Sequence, residues 1–243
     1  MLFRENTRMS DVIHANYLLL PILNRFDIQL GFGDKSIAEV CASYNVNTGF
    51  FLEIINSFHD HDYFPQVQLQ SFSLTMILKY IKKSHSFYLE KKIPYIEKLI
   101  SQLVETSIES QKQSFRLIEK FFGEYKAELV EHIEYEEQNI YPYVLAIDEA
   151  ISTGSADQTL IQKIKDHSIN KFAEEHSNIE DKLFDLKNLI IKYLPPASDY
   201  SLSNILLMEH FRLERDLCDH ARIEDKVLIP KVSHIENILM KDQ

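Results

Sequence analysis

Glycine, proline and tryptophan are scarce in this chain: five, seven and none among 243 residues. With so few turn formers and no regular strand alternation, a fold of short strands and tight turns is disfavoured, and long periodic stretches point to an all-α protein. Cysteine is nearly missing as well. Cys41 and Cys218 lie far apart and make neither a disulfide framework nor a CxxC site. No run approaches the roughly 18 apolar residues that a membrane span requires, and MLFRENTRMSDV lacks the continuous apolar region of a secretory signal. A cytoplasmic location is therefore expected. Basic charge is the last deficit, since 26 Lys and Arg against 37 Asp and Glu leave a formal charge of −11. That balance disfavours nonspecific nucleic-acid binding, which needs basic surface, and suits cations as partners.

What is present is a repeated motif. HIEYEEQNIYP, from His132 to Pro142, recurs as HARIEDKVLIP, from His220 to Pro230. In each, a His is followed four residues later by a Glu (Glu136, Glu224), then by a second acid (Glu137, Asp225), and ten residues after the His by a Pro. Four residues along a helix turn through roughly 40° and rise about 6 Å, so each His shares a face with its Glu. Two such helices facing each other offer two imidazoles and two carboxylates to a metal pair. A single His-x3-Glu is ordinarily a solvated helix face. Two copies with shared surroundings are a metal-site candidate.

Residues 1–65 read as a small helical domain. Ser10 or Asp11 caps a helix carrying Val12, Ile13, Leu18, Leu19, Ile22, Leu23 and Phe26; Gly31 and Gly33 break the chain; shorter helices follow from Ser36 and after Asn47-Thr48-Gly49. The polar, Pro65-containing stretch from His59 to Ser73 reads as a linker, with residues 66–74 as its bounds before a bundle over 75–243. Four helical stretches follow, near 73–104, 112–149, 157–193 and 201–240, separated by a weak break at 106–110 and by the strong turn signals STGSAD and PPASD.

Distances from these breaks set a common height. His132 and His176 each lie 22 residues from Gly154, while His176 and His220 lie 20 and 24 residues from Pro196. In an up-down-up-down bundle, residues equidistant from a turn share a layer. Reflection about residue 108 adds His85, giving one His per helix at His85, His132, His176 and His220. Such a buried polar layer requires compensation, which a metal supplies. The alternative is that one or two of these imidazoles, His85 first, face solvent.

Residues 75–243 resemble the hemerythrin-like domain, with LERDLCDHARIEDKVLIP close to the signature of its last helix. The segment MSDVIHANYLLLPILNRFDIQLGFGDKSIAEVC is similar to the small domain that precedes it in the iron-sulfur cluster repair di-iron proteins, the RIC/ScdA family. The resemblance implies a four-helix bundle holding two iron ions with an oxo or hydroxo bridge. By that resemblance the ligands are His85, His132, Glu136, His176, His220 and Glu224, with the two Glu bridging. Manganese or a mixed pair suits the same ligand types.

Two departures stand out. Glu180 occupies the place where oxygen-carrying hemerythrins have a further His, which weighs against an oxygen carrier. Its role is open between ligand, hydrogen-bond acceptor and solvent-facing residue. Leu30-Gly31-Phe32-Gly33-Asp34 stands where the family commonly has adjacent Cys, so thiol chemistry is not carried over. Glu214 and His210 repeat the His-x3-Glu spacing, but ten residues from the motif they sit about 15 Å away and read as a polar face or support. His59 and His61 read as solvated linker, His14, His167 and His234 lack convergent partners, and Tyr88, Tyr135 and Tyr141 read as core.

The expected function is repair of iron-sulfur clusters damaged by nitrosative or oxidative stress, through iron supplied from the bundle. The alternatives are a di-iron enzyme reducing nitric oxide or peroxide, and a protein that binds or senses oxygen or nitric oxide. Expected partners are damaged iron-sulfur proteins, these small ligands and a second copy of the chain, with neither nucleic acid nor membrane.

Overall fold

The computed structural model describes the backbone of residues 1–175, 179–194 and 200–241, with side chains except those of 173–181. Among these residues there is no β-strand; one isolated bridge pairs Arg8 with Ser36. The all-α expectation holds, and local chemistry explains several helix ends.

The N-terminal part comprises α1 (Met9–Ala15), α2 (Leu20–Arg25), α3 (Ile37–Ser43) and α4 (Thr48–His59). The single helix expected over residues 10–26 is broken. Asn16 is extended, and its side chain accepts from the Leu18 N–H, so the chain restarts through a 3₁₀ turn at Tyr17–Leu19. An Asn side chain that imitates a backbone acceptor competes with helix continuation in this way. Helix α1 also starts earlier than Ser10. Arg8 precedes it, without a side-chain cap, and backbone bonds from Met9 to Lys35 and from Ile37 to Thr7 fix that entry. Ser36 and Glu39 form a reciprocal capping box on α3. Within the stretch read as a linker, Gln66–Ser71 is helical (α5) and its Leu69 is fully buried.

Four rods follow. The first is α6 (Leu74–Phe87) with α7 (Ile93–Thr106), the second α8 (Glu109–Tyr135) with α9 (Tyr141–Thr153). The third contains α10 (Gln158–Asp166), α11 (Ile169–Glu175) and α12 (Ile179–Tyr193), interrupted at His167–Ser168, where one stretch was expected. The last is α13 (Tyr200–Ile223) with α14 (Ile229–Lys241). Helix α7 packs on α8 and α13, and α12 packs on the same two, which closes a four-membered ring. Gly154 ends α9 in the left-handed conformation that favours glycine (φ 66°).

Rods one, two and four each contain a π turn: Tyr88–Lys92, Glu136–Ile140 and Glu224–Leu228. In each, an N–H reaches back five residues, from Ile93 to Tyr88, Tyr141 to Glu136 and Ile229 to Glu224. The next residue is a proline every time: Pro94, Pro142 and Pro230. Proline has no N–H to give and its ring collides with the carbonyl four residues back. Widening the preceding turn relieves that collision without breaking the rod.

The apolar core divides in two. One cluster joins α1–α6 to residues of α9, α10, α11 and α14, and the other fills the ring of α7, α8, α12 and α13. The π turns and the residues just before them lie where one cluster gives way to the other.

Candidate metal centre

Each π turn decides which side chains point inward. Residues five apart on an α-helix are rotated roughly 140° from each other. Joined by a five-residue hydrogen bond they stack instead, much as residues four apart do elsewhere. Glu136 and Tyr141 are therefore both buried, as are Glu224 with Ile229 and Tyr88 with Ile93. One turn earlier on their rods stand His132 and His220, and His85 lies on the last turn of α6.

Four of these side chains converge. Donor atoms of His85, Glu136, His220 and Glu224 all lie within 4.8 Å of one another, and all four residues are buried. His85 Nε2 is 3.1 Å from His220 Nε2 and 3.4 Å from Glu136 Oε2. Glu136 turns its other oxygen to His132 Nε2 at 3.3 Å, so its carboxylate spans two imidazoles from different rods. Glu224 Oε2 lies 3.4 Å from His220 Nε2. Its Oε1 accepts from the Tyr141 hydroxyl at 3.2 Å.

The facing imidazole nitrogens identify what the centre needs. His85 Nδ1 is 3.0 Å from Glu137 Oε1. A carboxylate only accepts, so Nδ1 carries the proton and Nε2 presents a lone pair to the centre. Opposite it, His220 Nε2 faces the same space. Burial pulls the His220 pKa down, but Glu224, with a hydrogen bond, and Glu136 outweigh it and hold the imidazole above its ordinary value. Glu224 Oε2 is buried beside that imidazole, at 3.4 Å from its Nε2. Buried carboxylates and imidazoles gathered this closely cost stability, and a cation joining them offsets that cost. The donor set, nitrogen and carboxylate oxygen, suits iron or manganese.

The carboxylates are supported from outside. The Glu137 pKa is lowered, by its hydrogen bond from His85 before any other cause. Tyr141 stays a neutral phenol: burial first, then Glu224 and Glu136, push its pKa well above the usual range. Tyr88 meets the His220 ring edge-on at 5.6 Å and donates to the Asp216 carbonyl at 3.2 Å. Asp216 also pairs with Arg25 of α2, whose buried guanidinium donates to the Tyr80 hydroxyl at 3.2 Å. The N-terminal part thus touches α13 one turn before His220.

Of the six residues picked out in the sequence, the structure brings His85, Glu136, His220 and Glu224 into one cluster and sets His132 beside it, 17% exposed. His176 and the Glu180 side chain lie outside the described residues. His210 and Glu214 are away from the cluster, in the second apolar core. His14, His167 and His234 are exposed. Cys41 is buried, which pushes its thiol up to about 11 and leaves it unreactive. Two participants were missed. Glu137 was seen only as the acid after Glu136, and Tyr141 was read as core. The signal for Tyr141 was the Pro that follows it, through the π turn which that Pro imposes.

Residues 94–232 match the hemerythrin HHE cation binding domain, more than half of the 243-residue chain. The chain belongs to this family. A curated protein, the iron-sulfur cluster repair protein ScdA of Staphylococcus haemolyticus (strain JCSC1435), is 18% identical over 205 residues, covering 83% of this chain and 86% of that protein. That likeness is longer than the hemerythrin match, so it takes in sequence beyond the HHE region. Among the described residues, no helix of this hemerythrin-like protein is long and apolar enough to cross a membrane.

Proposed function

We propose that this hemerythrin-like chain holds two iron ions between rods one, two and four and supplies iron to damaged iron-sulfur proteins. The observation that carries the reading is the buried convergence of His85, Glu136, His220 and Glu224, and the repair function in the name of its ScdA relative supports the direction. In this reading His85 and His220 offer Nε2 lone pairs, Glu136 and Glu224 supply the bridging charge, and His132 and His176 complete the set. Bound iron provides exchangeable coordination positions and one-electron chemistry.

The surrounding residues hold and expose the cargo. The two apolar clusters exclude water from either end of the layer. Glu137 fixes the His85 tautomer at 3.0 Å. His132 and Glu137 are the more exposed members, with side chains 17% and 40% accessible, so rod two would form the open side through which a bound metal could leave. A carboxylate within reach of a buried and a partly exposed imidazole, as Glu136 is, would allow stepwise exchange of ligands.

The test is recovery of an enzyme whose [4Fe–4S] cluster has been damaged by nitric oxide. Iron-loaded protein should restore it faster than the same amount of free ferrous iron, and Glu136→Ala should remove the advantage. Recovery no faster than with free iron overturns the repair reading. Catalytic consumption of nitric oxide with a reductant, lost in Glu136→Ala, would replace it with an enzymatic one.

A further inference from the structure

Three rods repeat one construction, a π turn followed by Pro, and the residue just before the Pro is Ile93, Tyr141 or Ile229. All three are buried and close their turns with the same backbone bond. Isoleucine therefore satisfies the architecture at this position. The hydroxyl of Tyr141 is extra, and it points to the centre of the layer. Its oxygen lies 3.3 Å from His85 Nε2 and donates to Glu224 Oε1 at 3.2 Å. The ring lies nearly parallel to the His85 imidazole, at 18° and 5.7 Å between centroids, while the Lys82 ammonium lies 5.6 Å from the phenol ring.

We infer that Tyr141 is a positioning residue which sets how firmly the centre keeps its metal, by holding Glu224 through its hydroxyl and His85 through its ring. This rests on the metal reading above and adds to it the control of release. Tyr141 belongs to rod two, His85 to rod one and Glu224 to rod four, so one side chain on rod two fixes donors from the two other rods. With Oε1 engaged by the phenol, Glu224 keeps Oε2 turned inward beside His220. Without the bond the carboxylate gains rotamer freedom, and ordering it again opposes metal binding. Loss of such an outer partner lowers metal affinity by about 10–100-fold.

The experiment uses the full chain loaded with cobalt(II), whose visible absorption reports ligand geometry, and follows transfer to an excess of chelator. The Tyr141→Phe and Tyr141→Ile proteins should lose metal at least about tenfold faster than wild type, with an altered cobalt spectrum. Tyr143, two residues further on, bonds Glu236 instead, so Tyr143→Phe should release at the wild-type rate. Unchanged spectrum and release in Tyr141→Phe overturn the inference, as does equal acceleration in Tyr143→Phe. Failure of wild type to take up cobalt overturns the metal reading itself, a result distinct from normal loading with unaltered release.

Discussion

The last rod carries the His-x3-Glu spacing twice, as His210 with Glu214 and as His220 with Glu224, in opposite surroundings. His210 donates from Nδ1 to the Leu206 carbonyl at 2.8 Å and meets Phe122 edge-on at 5.6 Å. Its Glu214 is neutralised by Lys187, which lies 4.4 Å from the Phe211 ring. His220 and Glu224 face His85, Glu136 and Tyr141 from two other rods. Spacing along one helix places a His and a Glu on one face, and the neighbouring helices decide whether the pair becomes a structural contact or a metal site.

The largest effect that would separate the two pairs is loss of metal. Glu224→Gln keeps the shape and removes the charge, so metal per chain should fall below half of the wild-type value. Glu214→Gln should leave it unchanged; elemental analysis of the reconstituted proteins decides. Equal losses would erase the distinction.

Acid should act on the His210 side. Burial lowers its pKa from 6.5 to about 4, so between those values the unfolded chain binds a proton that the folded chain refuses. Stability then falls as the pH drops from 6.5 toward 4, by about 3 kcal/mol in all. Denaturant melts of wild type and His210→Phe across that range should show a smaller acid loss in the variant. Parallel curves would assign the loss to other groups.

Glu214→Ala strands the buried Lys187 and should cost about 2–3 kcal/mol in urea unfolding. A cost near zero would mean that Lys187 finds water or another acid. The smallest expected effect belongs to the first rod, where Tyr88 stands six residues before its Pro, the place held by Glu136 and Glu224 on the other two. Tyr88→Phe removes one hydrogen bond to Asp216, costs about 1 kcal/mol and leaves metal content alone. Altered metal content would bring Tyr88 into the site.

The duplicated motif made rods two and four legible, because four-residue spacing and a shared Pro survive without knowledge of the fold. Height counting from Gly154 and Pro196, with reflection about the weak turn signal at residue 108, also put His85 in one layer with His220. What the sequence hid has physical causes. The π turns arise from a clash that is visible only once each Pro is known to lie inside a continuous rod, and Tyr141 turns inward through that widened turn. The first rod shares the construction in HSFYLEKKIP, but its spacing to Pro94 is one residue shorter and Tyr88 replaces the carboxylate, so the likeness was overlooked. The break at Asn16 and the helix at Gln66–Ser71 depend on local side-chain bonds and on burial of Leu69, which period counting does not register.

The most direct test of the central claim is anomalous diffraction at the iron edge from crystals of the iron-loaded chain. The account predicts two peaks in the layer bounded by Glu136 and Glu224, with His85 Nε2 and His220 Nε2 turned toward them. Absence of iron there, or a peak at His210 and Glu214 instead, would contradict it.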